Sequence, residues 1–308
     1  MFVQTVFDLV GNTPLVALRR ISQGLNGVSL FAKAEFLNPS GSVKDRAVKA
    51  LILSGIEQGR LVGGKTIVDA TSGNSGISYA MFGAAAGFPV TLYVPANASR
   101  ERKAMMRYFG AAVVETDPLE GSDGAYLVAR KAVFADPEHW YYPDQYNNAE
   151  NWKTHYQTTA PEIWEQTARR VTHFVSGMGT SGTFTGTVKR LKMFSPAVQA
   201  VAVQPDSPFH GIEGTKHMAS TIHPGFYDPA LADRVLEINT EDAYAMTRRL
   251  AREEGFFVGV SSGANVAAAL NLSAELSSGS VVVTVLCDSG SRYLSERFWG
   301  CKRDMSSG

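Results

Sequence analysis

The chain has 308 residues, and its 29 Lys and Arg residues balance its 29 Asp and Glu residues, so its formal net charge is zero. This balance argues against a nucleic-acid partner, and the 44% hydrophobic content predicts one large domain or two with a sizeable core. No apolar run reaches the roughly 18 residues of a transmembrane helix, which argues against a membrane partner. Two cysteines, Cys287 and Cys301, are too few for a disulfide framework and favour a cytoplasmic location.

Predicted strands and helices alternate along most of the chain. An apolar segment at residues 6–10 leads through a turn to a return strand at 15–18, and further strands are predicted at residues 29–36, 66–70, 90–94, 111–115, 173–176, 200–204, 235–238 and 281–286. Helices are predicted after Thr180 and at residues 43–58, 75–86, 100–109, 122–134, 152–168, 241–254 and 262–276. This alternation indicates βαβ units and parallel sheets, which define the α/β fold class.

Two irregular stretches interrupt the alternation. The polar and aromatic residues 140–152 are predicted to carry the chain from one domain to the other. Residues 205–233 show little periodicity, and a loop of that length in a compact domain is usually functional or mobile. We expect a smaller, mobile domain at residues 39–147, a larger domain formed by residues 1–38 and 148–300, and a frayed tail at residues 301–308.

Lys44 lies in a turn between a predicted strand and the helix of residues 43–58. Ser42 and Asp45 have the spacing of a capping box, so this helix is expected to begin near Ser42. A lysine in the first helical turn lies at the positive end of the helix dipole, which favours its neutral, nucleophilic form. Schiff-base chemistry requires such an amine. The alternative is a solvated surface lysine beside a Gly-Ser turn.

Two short turns with glycine and hydroxyl residues each open a predicted helix. Residues 71–76, Thr-Ser-Gly-Asn-Ser-Gly, present backbone N–H groups and hydroxyls, which suit an anion at a helix N-terminus. Asn74 can also donate to a phenolate or carboxylate oxygen. The second turn is Ser-Ser-Gly at residues 261–263. In both turns the alternative is an ordinary hydroxyl cap.

A further turn at residues 176–183 allows two interpretations. Gly177, Gly179 and Gly182 match the G-x-G-x-x-G fingerprint of dinucleotide-binding proteins, and Asp206 lies near the distance expected for a ribose-binding acid. However, three hydroxyls crowd the turn and suit the free oxygens of a terminal phosphate better than a pyrophosphate: Thr180, Ser181 and Thr183. An NAD-binding Rossmann dehydrogenase is the alternative from another class, but it leaves Lys44 unexplained.

Together these motifs resemble the cysteine synthase and cystathionine β-synthase family of fold type II pyridoxal-phosphate (PLP) enzymes. The resemblance rests on Asn-Pro-Ser-Gly-Ser-Val-Lys-Asp-Arg at residues 38–46, and on the turns at 71–76, 179–183 and 261–263. It covers about residues 7–299 in order. It implies two domains with open, mostly parallel twisted sheets flanked by helices, as in the tryptophan synthase β-like fold, with the active site between the domains.

The resemblance also implies a role for each matching residue. Lys44 would bind PLP covalently and then act as the catalytic base, Asn74 would bond the ring oxygen, and Ser261 would face the pyridine nitrogen. Phosphate contacts would come from Gly179, Thr180, Ser181, Gly182 and Thr183, and α-carboxylate contacts from Thr71, Ser72, Ser75 and Gln145. Ser181 replaces a glycine of the usual family loop, which is tolerated if its φ is negative.

The implied reaction is β-replacement on O-acetylserine or O-phosphoserine with sulfide, which gives L-cysteine through an α-aminoacrylate. Homocysteine or an amino acid is the alternative nucleophile, and the family implies a homodimer. Gly211 and Lys216 lie in the loop expected at the mouth of the site. Lys216 and His217 there recognise a phosphate leaving group, contact an acidic second substrate, or are solvated. No spacing among His210, His217 and His223 matches a metal-binding pattern, so no metal is expected.

Overall fold

A computed structural model describes residues 4–300 of the protein, so the predicted tail lies outside the described residues. Within this range the strands are β1 (Leu15–Ala17), β2 (Ser29–Ala34), β3 (Thr66–Ala70), β4 (Val90–Pro95), β5 (Ala112–Thr116), β6 (Trp140–Tyr141), β7 (His173–Gly177), β8 (Gln199–Pro205), β9 (Arg234–Ile238) and β10 (Val281–Leu286). They form two sheets, one in the order β1-β2-β10-β7-β8-β9 and one in the order β5-β4-β3-β6.

Both sheets are mostly parallel, which confirms the predicted fold class. Only β1 and β2 pair antiparallel among the described strands, with Leu15 opposite Lys33. The interior strands β3 and β10 are buried along their whole length. Parallel strands covered on both faces read as nearly continuous apolar runs, which is why the sequence identifies these two strands clearly.

The helices are α1 (Lys44–Glu57), α2 (Asn74–Ala86), α3 (Arg100–Tyr108), α4 (Gly121–Ala135), α5 (Glu150–Thr154), α6 (Ala160–Gln166), α7 (Gly182–Phe194), α8 (Thr240–Arg249) and α9 (Val260–Ser273). The single helix predicted at residues 152–168 is instead α5 and α6 with a π-helical turn, His155–Thr159, between them. A second π-helical turn, Leu250–Glu254, follows α8. Such wide turns occur frequently at functional sites.

Three local predictions were wrong. Trp140–Tyr141 forms β6 against β3, although no strand is predicted there, because two residues carry no detectable periodicity. The apolar segment at residues 6–10 contains a 3-10 helix, Val6–Leu9, rather than the first strand of a hairpin. The capping box of α1 does not form: the helix begins at Lys44, and the Asp45 carboxylate accepts hydrogen bonds from Ser40 N at 2.7 Å and from Ser78 Oγ.

Asp69 in β3 is a fully buried carboxyl group whose Oδ2 has no hydrogen-bond partner among the described residues. Burial raises the pKa of Asp69 to about 7, so the folded protein binds this proton more tightly than the unfolded chain does. This group therefore contributes stability at low pH that is lost as the pH rises from about 4 to about 7. Removing the titrating group should remove this loss.

We expect the Asp69→Asn variant to lose less stability than the wild type between about pH 5 and pH 8, with a difference of about 1 kcal/mol or more, since each unit of pKa shift corresponds to about 1.4 kcal/mol. Urea unfolding of both proteins at the two pH values measures this difference. The same loss of stability in both proteins would contradict the assignment of a raised pKa to Asp69.

Candidate active site

The turns that follow β2, β3, β7 and β10 meet at an open cleft of about 480 Å³ and at an adjoining cavity of about 40 Å³. Ligands of open parallel sheets bind at such carboxyl ends of strands. Every site residue predicted from the sequence lines one of the two spaces. The cleft is lined by Thr71, Ser72, Ser75, Gln145, Gly211 and Lys216, the cavity by Asn74, Ser181, Gly182, Thr183 and Ser261, and both by Lys44, Gly179 and Thr180.

Lys44 is the first residue of α1 and lies where the cleft and the cavity join. Burial lowers the pKa of Lys44, although the carboxylate of Asp288 opposes the shift. The sequence attributes a neutral Lys44 to the helix dipole, whereas in the structure the larger cause is loss of hydration of the ammonium group. Either cause favours the uncharged amine that a covalent link to a carbonyl compound requires.

The turn between β3 and α2 leaves the Thr71 hydroxyl proton available to an anion. Thr71 Oγ1 accepts hydrogen bonds from Gly73 N at 3.0 Å and Gly76 N at 3.2 Å, so its own proton is free. Ser75 Oγ donates to Gln145 Oε1 at 2.7 Å, and Gln145 Nε2 donates to the β3 backbone at Ala70 O, at 2.8 Å. These bonds fix Ser75 and Gln145 beside the N-terminus of α2, which favours a carboxylate there.

The turn between β7 and α7 presents donors suited to a phosphate. Ser181 Oγ is buried and has no partner among the described residues. A Cβ at Gly179 would lie 2.4 Å from Gly214 O, and one at Gly182 would lie 2.0 Å from Asn151 Oδ1, so both positions require glycine. The phosphate of PLP fits this turn for three reasons. The Ser181 hydroxyl lacks a partner among the described residues, the backbone approaches closely at the two glycines, and the turn opens the 13-residue helix α7.

Ser181 has φ of 60°, in the left-handed region, so the condition under which serine replaces glycine without strain is not met. A serine in this conformation costs roughly 1–2 kcal/mol. Strained residues of this kind persist where the surrounding structure holds them, and they are common at binding sites. The family glycine at this position avoids the strain, whereas Ser181 adds a hydroxyl donor.

Two substitutions separate these effects of Ser181. Ser181→Gly removes both the strain and the hydroxyl, whereas Ser181→Ala removes only the hydroxyl. We expect both variants to bind PLP about tenfold more weakly, since a hydrogen bond to a charged group contributes roughly 1.5–3 kcal/mol. Without PLP, Ser181→Ala should be less stable than Ser181→Gly by about 1 kcal/mol. PLP titration and urea unfolding test both statements, and unchanged PLP affinity in both variants would contradict a phosphate contact.

The side-chain amide of Asn74 is hydrogen-bonded to two residues that follow β10. Its Nδ2 donates to Asp288 Oδ2 at 2.7 Å, and its Oδ1 accepts from Arg292 Nη1 at 3.0 Å. Tyr293 Oη also donates to Asp288 Oδ2, at 2.7 Å. Because an amide nitrogen carries two N–H groups, one of them remains for the ring oxygen predicted from the sequence. Arg292 and Asp288 thus orient this donor.

Ser261 lies in the first turn of α9 and lines the small cavity together with Cys287. Burial raises the pKa of Cys287 to about 12, and Asn265 Nδ2 donates to its Sγ at 3.3 Å. A thiol in this environment stays protonated and is a poor nucleophile. The lining of the cavity therefore includes two neutral groups, Ser261 and Cys287.

Lys216 is already paired. Its Nζ donates to Asp123 Oδ1 and to Thr221 Oγ1, both at 2.7 Å, and lies 4.9 Å from the ring centroid of Tyr146. These contacts join the 205–233 loop to the first turn of α4. The interpretation of Lys216 as a free cation for a phosphate leaving group therefore loses its support, because Asp123 neutralises the charge.

The three clustered histidines do not form a metal site. His217 Nδ1 lies 2.8 Å from Ser220 Oγ, and His223 Nε2 lies 2.6 Å from Met218 O. Within residues 4–300 no group of three His, Cys, Asp or Glu side chains is placed to hold a metal ion. In the same range no helix combines the length and the apolar character needed to cross a membrane.

Among the residues that support the site, Asp288, Asn151 and His155 were not predicted from the sequence. Asp288 follows the carboxyl end of β10, which is the edge where parallel sheets carry ligands, and this rule alone points to it. Asn151 donates to Thr180 Oγ1 at 3.1 Å, and His155 Nε2 lies 3.3 Å from Thr183 Oγ1. Neither contact has a signal in the sequence, because both depend on how α5 and its π-helical turn pack against α7.

Comparison with known proteins agrees with this geometry. The family described as pyridoxal-phosphate dependent enzyme matches residues 6–288. The chain is 48% identical to cysteine synthase of Aquifex aeolicus over 304 residues, which cover 97% of this chain and 93% of the relative. The crystal structure of cysteine synthase from Entamoeba histolytica has a TM-score of 0.92 and 32% identity, and the match covers 98% of this chain and 92% of that one.

A second solved structure, O-acetylserine dependent cystathionine β-synthase from Helicobacter pylori, has a TM-score of 0.90 and 35% identity, and the match covers 96% of this chain and 98% of that one. Fold, site geometry and sequence therefore point to the same group of enzymes. The chain belongs to the cysteine synthase and cystathionine β-synthase family of pyridoxal-phosphate-dependent enzymes.

Proposed function

We propose that this enzyme makes L-cysteine and acetate from O-acetylserine and sulfide. The observation that carries the proposal is the position of Lys44, whose amine is held toward its neutral form between two anion-binding turns. One turn suits the PLP phosphate and the other suits the substrate carboxylate. This arrangement suits an amino acid whose α-carbon lies next to the lysine, which β-replacement requires.

PLP, when bound, supplies the electron sink that weakens the Cα–H bond and allows the ester oxygen to leave the β-carbon. The chain supplies orientation and proton transfer. Thr71 donates its free proton to the α-carboxylate, and Ser75 and Gln145 hold their positions beside it. Lys44, with its amine held toward the neutral form, would remove the α-proton as general base. Ser261 would offer a neutral hydroxyl to the pyridine nitrogen, where a carboxylate would keep that nitrogen protonated, and a hydroxyl there suits elimination.

The four-stranded sheet carries the carboxylate-binding turn, and the proposed smaller domain at residues 39–147 contains it. Movement of this domain toward the six-stranded sheet would exclude water after the leaving group departs. The Lys216–Asp123 ion pair joins the two sides across the cleft mouth. We also propose that the enzyme is a homodimer, as the family resemblance implies. A cytoplasmic location is consistent with the two cysteines of the chain, which are too few for a disulfide framework.

O-Acetylserine is favoured over O-phosphoserine because the cleft mouth presents paired charges. Lys216 is bonded to Asp123, and Arg102 is bonded to Glu213. A phosphate leaving group needs an unpaired cation, which neither pair offers, whereas an acetyl group needs none. The substrate named in the Helicobacter pylori structure, O-acetylserine, agrees with this inference.

We expect the wild type to have a higher kcat/KM with O-acetylserine than with O-phosphoserine at saturating sulfide. Lys216→Ala should change both values by a similar factor. Lys216 joins the 205–233 loop to α4 at the cleft and is not expected to contact the leaving group. Cysteine formation measured with each ester tests this directly. A selective loss with O-phosphoserine, by about tenfold or more as expected for a charge-assisted contact, would show that Lys216 recognises phosphate.

Sulfide is favoured over homocysteine as the nucleophile because both curated and solved relatives include cysteine synthases over nearly the full chain. Product analysis with each nucleophile at equal concentration tests this choice, and a faster rate with homocysteine would replace it by cystathionine synthesis. The dinucleotide interpretation of residues 177–182 is not favoured, since the same residues lie within the match to the PLP family.

A further inference from the structure

His155 is a buried histidine behind the phosphate-binding turn that takes no part in the mechanism above. It opens the π-helical turn His155–Thr159. Helix α7 approaches it closely because Gly186 has no side chain: a Cβ there would lie 2.0 Å from Trp152 O and 2.8 Å from His155 Cβ. The imidazole lies between two hydroxyls, with Nδ1 2.9 Å from Thr159 Oγ1 and Nε2 3.3 Å from Thr183 Oγ1.

The His155 imidazole is neutral. Burial lowers the pKa of His155 to about 3, and the positive charge of Arg46 acts in the same direction while Glu35 opposes it. A neutral imidazole has one N–H donor and one acceptor nitrogen. His155 therefore donates to one threonine and accepts from the other.

The bound anion distinguishes the two tautomers. Phosphate oxygens mainly accept hydrogen bonds, so Thr183 contributes most when its proton points toward them. If Nε2 accepted from Thr183, that proton would point toward the histidine, and oxygen lone pairs would face the phosphate. If Nε2–H donates to Thr183 Oγ1, the Thr183 proton is free and the Thr159 hydroxyl donates to Nδ1. All the hydrogen bonds then point in one direction and strengthen one another.

We propose that His155 is a positioning residue for the PLP phosphate: its Nε2–H donates to Thr183 Oγ1 and directs the Thr183 proton toward the phosphate. His155 lies 28 positions before Thr183, outside the phosphate-binding motif. The role concerns cofactor binding alone, so it holds whichever ester or nucleophile the enzyme uses.

A matched pair of variants tests the proposal. In His155→Gln the side-chain amide can reach the place of Nε2 and keep a donor to Thr183, whereas in His155→Asn it can replace only Nδ1. We expect PLP to bind about tenfold more weakly to His155→Asn, the loss of about one hydrogen bond to a charged group, and within about threefold of the wild type to His155→Gln. Fluorescence titration of the apoenzyme with PLP gives both dissociation constants, and urea unfolding without PLP measures any structural effect.

The variant Thr183→Val allows a second test of the proposal. If His155 acts through Thr183, the double variant His155→Asn/Thr183→Val should bind PLP no more weakly than Thr183→Val alone, because the same donor is lost. The proposal would be overturned if the losses of PLP affinity in the two single variants multiply in the double variant. Unchanged PLP affinity in His155→Asn would also overturn it. Nitrogen-15 NMR of histidine-labelled wild-type holoenzyme needs no variant to fold: it should show a neutral, Nε2-protonated His155, and an Nδ1-protonated ring would equally overturn the proposal.

Discussion

Replacing Lys44 with alanine is expected to lower kcat/KM for cysteine formation by at least about 10³-fold, since general base catalysis alone contributes about 10²–10⁴-fold. The variant should still bind PLP, because the phosphate turn and Asn74 do not depend on Lys44. Its PLP should therefore be removable by dialysis, unlike that of the wild type. Steady-state rates and the PLP content after dialysis measure the two effects.

Lys49 provides a matched control for Lys44 on the same helix. It is partly buried, its pKa is also lowered by burial, and its Nζ donates to Phe7 O at 2.8 Å, away from the cleft. Lys49→Ala should keep both its activity and its dialysis-resistant PLP. Comparable activity in Lys44→Ala and Lys49→Ala would mean that Lys44 has no part in the chemistry.

Removing Arg46 is expected to destabilise the fold by about 3–5 kcal/mol, the cost of leaving a buried carboxylate without its partner. The Arg46 guanidinium donates to Glu35 Oε2 at 2.8 Å and to Glu162 Oε2 at 2.7 Å, and Lys33 Nζ lies 2.6 Å from the same Glu162 atom. Burial alone would raise the pKa of Glu35, but Arg46 holds it lowered to about 2. Arg46→Ala would thus leave the buried Glu35 carboxylate without the cation that stabilises its charge.

Arg249 provides the exposed counterpart, because it forms an Arg–Glu pair of similar length with Glu253, at 2.7 Å, on the protein surface. Solvent-exposed pairs contribute little to stability, so Arg249→Ala should leave the urea midpoint nearly unchanged. Urea unfolding of both variants without PLP shows whether the stability contributed by an Arg–Glu pair depends on its burial. Equal midpoints for Arg46→Ala and Arg249→Ala would show that the buried network does not hold α1 in place.

The sequence was sufficient for features that depend on contiguous residues. Lys44 and the two anion-binding turns, at residues 71–76 and 176–183, each stand between a predicted strand and a predicted helix, and parallel sheets bring such turns to one edge. The buried strands β3 and β10 were clear for the same local reason, a continuous apolar run. These features determine both the fold class and the list of residues that line the cleft.

Features that depend on contacts between distant segments could not be predicted. Lys216 reads as a free cation in the sequence, and only the structure brings Asp123, 93 positions away, to its Nζ. The positive φ of Ser181 is imposed by the backbone around a glycine-type turn, not by serine itself. His155 has no sequence signal either, because its role depends on the close approach of α7 at Gly186.

Borohydride reduction of the purified holoenzyme, followed by peptide mapping, shows whether Lys44 binds PLP covalently in this cleft. Reduction makes the link between lysine and cofactor permanent, so the modified peptide survives proteolysis and is identified by its mass. We expect one PLP-derived modification, on the peptide that contains Lys44. A modification on any other lysine, or no modification in a protein that contains PLP, would contradict it.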